Sequence, residues 1–223
     1  MKKGVKLSWG RFTIVFLAVA LCCAMSAQAV VIDGNVNPLD EWSGTYMLTD
    51  PNELNIPDDW DIADVFGVSG STYVSFRVDV YGSATLNAYG LGTCFYQVHM
   101  DLDLNMATGR PIDGIGAEYV LDYRKIGGIP SARLYDTRDG GWTYLSDQTG
   151  AQVSVTELRV IIADMEGAIP GEVMNVVFAI NNGGSPPDDV TDMMGYVIPE
   201  PSMILGLLTG LLLLLGKIRT TEG

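Results

Sequence analysis

The chain has 223 residues, of which 48% are hydrophobic and 18% charged, with 13 Lys+Arg against 27 Asp+Glu and a formal charge of −14. An apolar fraction this high excludes a disordered acidic chain, and a charge this negative excludes a nucleic-acid binder, which needs basic groups to displace phosphate counterions. The single histidine, His99, excludes His-rich metal sites and leaves any Ser-His-Asp or Cys-His nucleophile dependent on that one ring.

Residues 1–29 combine a basic start (Lys2, Lys3, Lys6, Arg11), an apolar run from Phe12 to Ala24 and the small-residue end Ser26-Ala27-Gln28-Ala29. This is the pattern of a secretory signal peptide, and the run is short for a span that needs about 20 residues. Ala27 and Ala29 suit the shallow pockets of signal peptidase, so cleavage is expected after Ala29. The segment from residue 30 to 198 then carries 7 basic and 25 acidic side chains. Its surface repels anionic polymers unless divalent cations bridge them. Its only cysteine, Cys94, excludes an internal disulfide there, so stability must come from a core or from bound ions.

Alternation with period two runs through residues 30–196, the expected β domain. Val74, Phe76, Val78 and Val80 share one face of a strand, with Tyr73, Ser75, Arg77 and Asp79 on the other; Cys94, Tyr96, Val98, Met100 and Leu102 alternate with Phe95, Gln97, His99 and Asp101. Both strands are expected to be half-buried, with His99 facing solvent. Shorter runs at 62–68, 117–123, 132–135, 142–145, 158–162 and 173–180 are separated by Gly, Pro, Asp and Asn. Asp139-Gly140-Gly141 signals a hairpin turn, because glycine accepts the positive φ such turns require. No helical period is sustained, and about eight strands at this spacing predict an antiparallel β-sandwich. Asn181 to Asp192 reads as the exit from the domain.

Val197-Ile198-Pro199-Glu200-Pro201-Ser202 leads into an uncharged run, 203–216, and then Lys217 and Arg219. A helix of that length rises only about 21 Å, which suits temporary residence in a bilayer, with Lys217 and Arg219 on the cytoplasmic side. The two prolines keep Glu200 in an extended segment outside the helix. Residues 197–223 resemble the PEP-CTERM sorting signal of Gram-negative bacteria that make exopolysaccharide. The resemblance rests on Pro199, Glu200 and Pro201 before the apolar helix and the Lys217/Arg219 cluster. It implies export, transient membrane anchoring, processing by exosortase, and delivery to the cell surface or polymer matrix.

Val31-Ile32-Asp33-Gly34 followed by Asp40-Glu41-Trp42, and Asp101-Leu102-Asp103-Leu104-Asn105 with Thr108-Gly109 before Gly116-Ala117-Glu118-Tyr119, resemble the DOMON-like sandwich that includes family 9 carbohydrate-binding modules. Members of that group bind sugars, and some bind haem or calcium, so the resemblance leaves the partner open. Asp101, Asp103 and Asn105 at alternate positions can aim three oxygens at one calcium ion. The loop is not an EF-hand, since Met106 and Ile112 stand where that motif needs Gly and Glu; Asp113, Glu118 or water would have to complete the shell. The same residues serve equally as a polar turn whose side chains cap backbone amides. Asp58, Asp59, Asp61 and Asp64 read as a solvated acidic loop. Trp42, Trp142 and Tyr144, with Trp60, are the rings available to stack on a pyranose, and Trp42 and Trp60 also suit the core. His99 with a methionine partner is the haem alternative, and Cys94 is expected as a buried thiol.

No phosphate loop, His-Glu-x-x-His or Gly-x-Ser-x-Gly is present, and the abundant carboxylates single out no catalytic pair. The chain therefore reads as a non-catalytic exported protein that binds glycan or builds matrix. A secreted polysaccharide hydrolase and a haem- or calcium-binding module are the alternatives. Expected partners are signal peptidase, exosortase, extracellular polysaccharide and, transiently, the membrane.

Overall fold

The computed structural model describes residues 30–35, 42, 46–84, 95–126, 129–181, 187 and 189–198. The signal segment with Ala27 and Ala29, Cys94, and the tail with Pro199, Glu200, Pro201, the 203–216 run, Lys217 and Arg219 lie outside the described residues. Among the described residues no helix is long and apolar enough to cross a membrane.

The strands are β1 (Tyr46–Thr49), β2 (Ile62–Ser69), β3 (Tyr73–Val80), β4 (Phe95–Asp101), β5 (Arg110–Ile112), β6 (Ile115–Ala117), β7 (Tyr119–Ile126), β8 (Ile129–Asp136), β9 (Thr143–Gln152), β10 (Thr156–Ile161), β11 (Val173–Asn181), β12 (Asp189–Val190) and β13 (Met194–Val197). All pair antiparallel. The main sheet runs β1-β2-β3-β10-β9-β8-β7-β4-β11-β12, with β13 also beside β11, and β5–β6 is a separate ribbon. β9 serves both halves of the sheet: Thr143 and Gln148 face Asp136 and Ala132 of β8, while Thr149 and Gln152 face Arg159 and Thr156 of β10.

The sheet curls about β9 and closes its two halves on one core, giving the expected all-β antiparallel sandwich. Val74, Phe76 and Val78 of β3 meet Val98, Met100, Leu121, Val176 and Phe178 from the other half. Phe76 and Phe178 cross that core edge to face at 5.4 Å. Burying such a ring stabilises by about 1.5–3 kcal/mol, and Phe76→Ala would cost about 3–5 kcal/mol once the cavity is included.

Two expectations are corrected. The polar face of β4 is buried, not solvent-facing, because the β5–β6 ribbon covers it: Ile115 and Ala117 pack on Val177, which pairs with His99. Gly116 lets the ribbon pack against the preceding loop, since a Cβ there would lie 2.0 Å from the Thr108 carbonyl oxygen. His99 is enclosed with its Nε2 3.3 Å from Gln97 Oε1. Burial, reinforced by the nearby Arg110 cation, pushes its pKa down to about 3 and keeps it neutral. Protein on every side leaves no space beside the ring for a haem plane. The second correction concerns 181–192, expected as an exit loop. Its Asp189–Val190 forms β12 and β13 follows, both returning to β11 through Ala179↔Val190 and Val176↔Met194. These strands are too short to carry a legible alternation.

Candidate functional site

β4 ends at Asp101, and the chain turns back towards β5 through residues 102–109. Leu104 takes φ +56° and Gly109 φ +66°, the left-handed region. A Cβ at Gly109 would lie 2.2 Å from the Ala117 carbonyl oxygen, so glycine is what lets the loop close against β6. Within the loop the Asn105 amide donates to Asp103 Oδ1 at 2.9 Å, and the Ala107 amide donates to Asn105 Oδ1 at 3.1 Å. These are the amide-capping turns that Asp and Asn favour.

The loop also gathers carboxylates. One oxygen from each of Asp101, Asp103 and Glu118 lies within 4.8 Å of the others. Glu118 Oε2 accepts the Leu102 amide at 2.8 Å, and the Thr108 hydroxyl sits 3.0 Å from both Asp103 Oδ1 and Glu118 Oε1. Asp101 is 1% exposed, and neither of its carboxylate oxygens makes a well-formed hydrogen bond, although the Leu104 and Asn105 amides and the Asn175 side chain face it. Burial is the main cause raising the pKa of both Asp101 and Glu118; the Leu104 and Leu102 amides respectively oppose it. Three converging carboxylates, of which buried Asp101 leaves its oxygens unmet, form a set of hard donors suited to a divalent cation that prefers oxygen, such as calcium.

Glu118, one of the residues expected to complete the shell, joins Asp101 and Asp103 in this pocket, while the Asn105 side-chain oxygen accepts the Ala107 amide within the same loop. Asp113 sits in the β5–β6 turn at φ +33° and is not part of the trio. The signal for Glu118 was present as an acidic residue at the end of the Gly116-Ala117-Glu118 segment, which the ribbon folds back over the loop.

The aromatic candidates separate cleanly. Trp42 is 1% exposed and its indole donates to Glu157 Oε1 at 2.8 Å, so it offers no face to a sugar and is removed from the binding set. Trp60 belongs to the core. Trp142 and Tyr144, by contrast, are 38% and 49% exposed at the start of β9. Tyr135 joins them from β8, its ring 5.2 Å from Trp142 and 6.1 Å from Tyr144 in edge-to-face geometry. The hairpin turn between them closes through the Gly140 amide to Thr137 oxygen at 2.9 Å, with Gly140 at φ +74° as the Asp-Gly-Gly run predicts. Arg133 stands 5.4 Å over Tyr144, and Arg110, the first residue after the acidic loop, stands 5.3 Å over Trp142. The exit of the carboxylate loop thus touches the aromatic patch. Tyr135, Arg110 and Arg133 escaped the sequence reading because only cross-strand pairing brings them to the two rings.

No family model and no curated protein sequence matches this chain. Among solved structures, it is similar to a family 9 carbohydrate-binding module from Caldicellulosiruptor kristjanssonii in complex with glucose, at 14% identity and a TM-score of 0.35 over 76% of this chain and 82% of that one. It is also similar to a family 9 module from the same organism in complex with cellotriose, at 12% identity and a TM-score of 0.33 over 75% of this chain and 79% of that one.

Proposed function

We propose that this chain is an exported, non-catalytic glycan-binding protein, sorted by its PEP-CTERM-like tail to the cell surface or exopolysaccharide matrix. The observation that carries the binding reading is the exposed Tyr135–Trp142–Tyr144 patch flanked by Arg110 and Arg133. A pyranose presents an apolar C–H face that stacks on an indole or phenol ring, and guanidinium groups at the edge donate to its hydroxyls or carboxylate. The other tryptophans of the described residues are buried, so this patch is where such stacking can occur. A cation held by Asp101, Asp103 and Glu118 would fix the loop whose end places Arg110 on Trp142, coupling ion binding to the shape of the glycan surface.

The alternative of a hydrolase is disfavoured by the same carboxylates. In the trio the oxygens converge within 4.8 Å, whereas glycoside cleavage places two carboxyl groups about 5–9.5 Å apart across a scissile bond. The test is affinity electrophoresis of the purified chain through gels containing the producing cell's exopolysaccharide or soluble glucans, with and without calcium. Retardation that Trp142→Ala removes supports the reading. Equal mobility in every glycan, or retardation indifferent to Trp142 and Tyr144, overturns it. For sorting, mass analysis of the surface-released protein should find cleavage after Ala29 and near Pro199-Glu200-Pro201; a chain retaining residues 203–223 contradicts exosortase processing.

A further inference from the structure

A second group of carboxylates lies where the two ends of the curled sheet meet. Asp50 follows β1, Asp61 precedes β2, and Asp189 opens β12, so the first two strands and the last one in the sheet order each contribute. Glu53 enters from the turn between β1 and β2. One oxygen from each of Asp50, Glu53 and Asp189 lies within 4.8 Å of the others. Asp61 is 0% exposed; its Oδ2 accepts the Glu53 amide at 2.9 Å while Oδ1 has no partner. Asp50 Oδ2 and Glu53 Oε2 are likewise shielded from solvent and unpartnered. Asp189 Oδ2 accepts the Ile62 amide at 2.5 Å, which ties β12 to the start of β2.

These groups repel one another. Asp50 and Glu53 are each pushed up to about 7, in both cases by burial first and then by neighbouring carboxylates, Asp189 foremost. A buried carboxylate oxygen without a donor is strongly unfavourable, and here Asp50, Glu53 and Asp61 each leave one unmet in one small volume. Asp50, Asp61 and Asp189 are too deeply buried for a polymer substrate to reach, which argues against a catalytic acid and for an ion. An all-oxygen, all-carboxylate donor set selects a hard cation of the calcium class over zinc or copper, which favour nitrogen and sulfur.

We infer that Asp50, Glu53, Asp61 and Asp189 form a second divalent-cation site, distinct from the Asp101 loop, which clasps the two ends of the sheet together. It is independent of the glycan reading, since it lies on other strands and uses none of the aromatic patch.

The test is isothermal titration of Ca²⁺ into the full chain, stripped with chelator and held in mild detergent. The Asp101→Asn background is used to silence the loop pocket, and thermal unfolding is followed in parallel. One equivalent of Ca²⁺ should still bind and raise the midpoint. Adding Asp61→Asn, which keeps an acceptor for the Glu53 amide, should weaken binding at least tenfold and abolish the rise. Glu53→Gln, an isosteric change in the turn between β1 and β2, should do the same; Asp58→Asn, an exposed neighbour, should change nothing. Loss of all calcium binding in the Asp101→Asn background overturns the inference, as does an unchanged isotherm in both Asp61→Asn and Glu53→Gln. Failure of glycan retardation alone would leave the titration result standing.

Discussion

Glu157 and Asp101 are both acidic residues at the protein's interior, 0% and 1% exposed, yet the fold treats them in opposite ways. Glu157 on β10 accepts the Trp42 indole at 2.8 Å through one oxygen and the Asp33 and Gly34 amides at 2.8 Å each through the other. The chain itself supplies its donors, and the carboxylate pins the segment before β1 to the sheet. Asp101 on β4 is held among carboxylates with neither oxygen met. One buried carboxylate is thus a structural clamp with three donors in place, and the other is faced by the Leu104 and Asn105 amides and the Asn175 side chain without a well-formed bond to any of them. The contrast separates acids that build the fold from acids that make it responsive.

The largest effect should come from breaking the clamp. Glu157→Ala strands an indole N–H and two amides in the interior and should destabilise by about 3–5 kcal/mol. That is a drop of roughly 6–20 °C in the thermal midpoint for a domain of this size, and calcium should not restore it. Asp101→Asn sharpens the comparison from the other side. In chelator it should be as stable as the native chain or more so, because it removes an unmet charge. At calcium about a hundredfold above Kd, it should lack the loop site's share of the rise, about 2.7 kcal/mol by mass action. A native chain whose midpoint does not respond to calcium would place Asp101 with Glu157 as a purely structural acid.

A smaller effect follows from His99, which lies on the same covered face as Asp101. Its folded pKa of about 3 is below the unfolded value of 6.5, so between these values the unfolded chain holds more protons than the native one. The stability from burying the neutral ring is therefore present above pH 6.5 and lost as pH falls towards 3. At pH 5 the loss is about 2 kcal/mol. His99→Gln has nothing to titrate there, so the stability gap between native and variant, measured in chelator at pH 7.5 and pH 5, should shift by that amount against the native chain. A constant gap would mean that the ring is protonated, or solvated, in the folded state.

The core was legible because period two is a local signal: Val74, Phe76 and Val78 declare one face of β3 with no knowledge of any other strand. What covers the opposite face is not local. His99 and Gln97 look solvent-facing until Gly116 and Ala117 bring a short ribbon over them, and nothing in the β4 run records that ribbon. The same limit governs the sites. Asp101 and Asp103 stand close in the chain and could be read as a loop, and Glu118 could be named because it ends the next short segment, Gly116-Ala117-Glu118. Asp189 reaches the Ile62 amide, next to Asp61, from 127 residues away and through a two-residue strand, so the Asp58–Asp61 stretch looked like a solvated acidic loop. Trp42 was ambiguous for the same reason, since its partner Glu157 is 115 positions distant.

The smallest effect on stability should accompany the largest effect on binding, at Trp142. The ring is partly exposed, makes its contacts with Tyr135 and Arg110 at the surface, and caps no buried polar group. Trp142→Ala should therefore change stability by no more than about 1 kcal/mol. A stacking ring at the centre of a glycan site contributes about 2 kcal/mol or more to affinity, so the same substitution should weaken binding about thirtyfold or more. Trp142→Phe, which keeps an aromatic face, should recover part of it. Arg110→Ala separates the two roles proposed for the loop. If the cation acts on glycan binding through Arg110, removing that side chain should weaken binding and also erase the difference between calcium and chelator, while leaving the calcium-dependent thermal rise intact. If calcium still strengthens retardation in Arg110→Ala, the ion reaches the patch by another route, and the link between the acidic loop and the aromatic surface is broken.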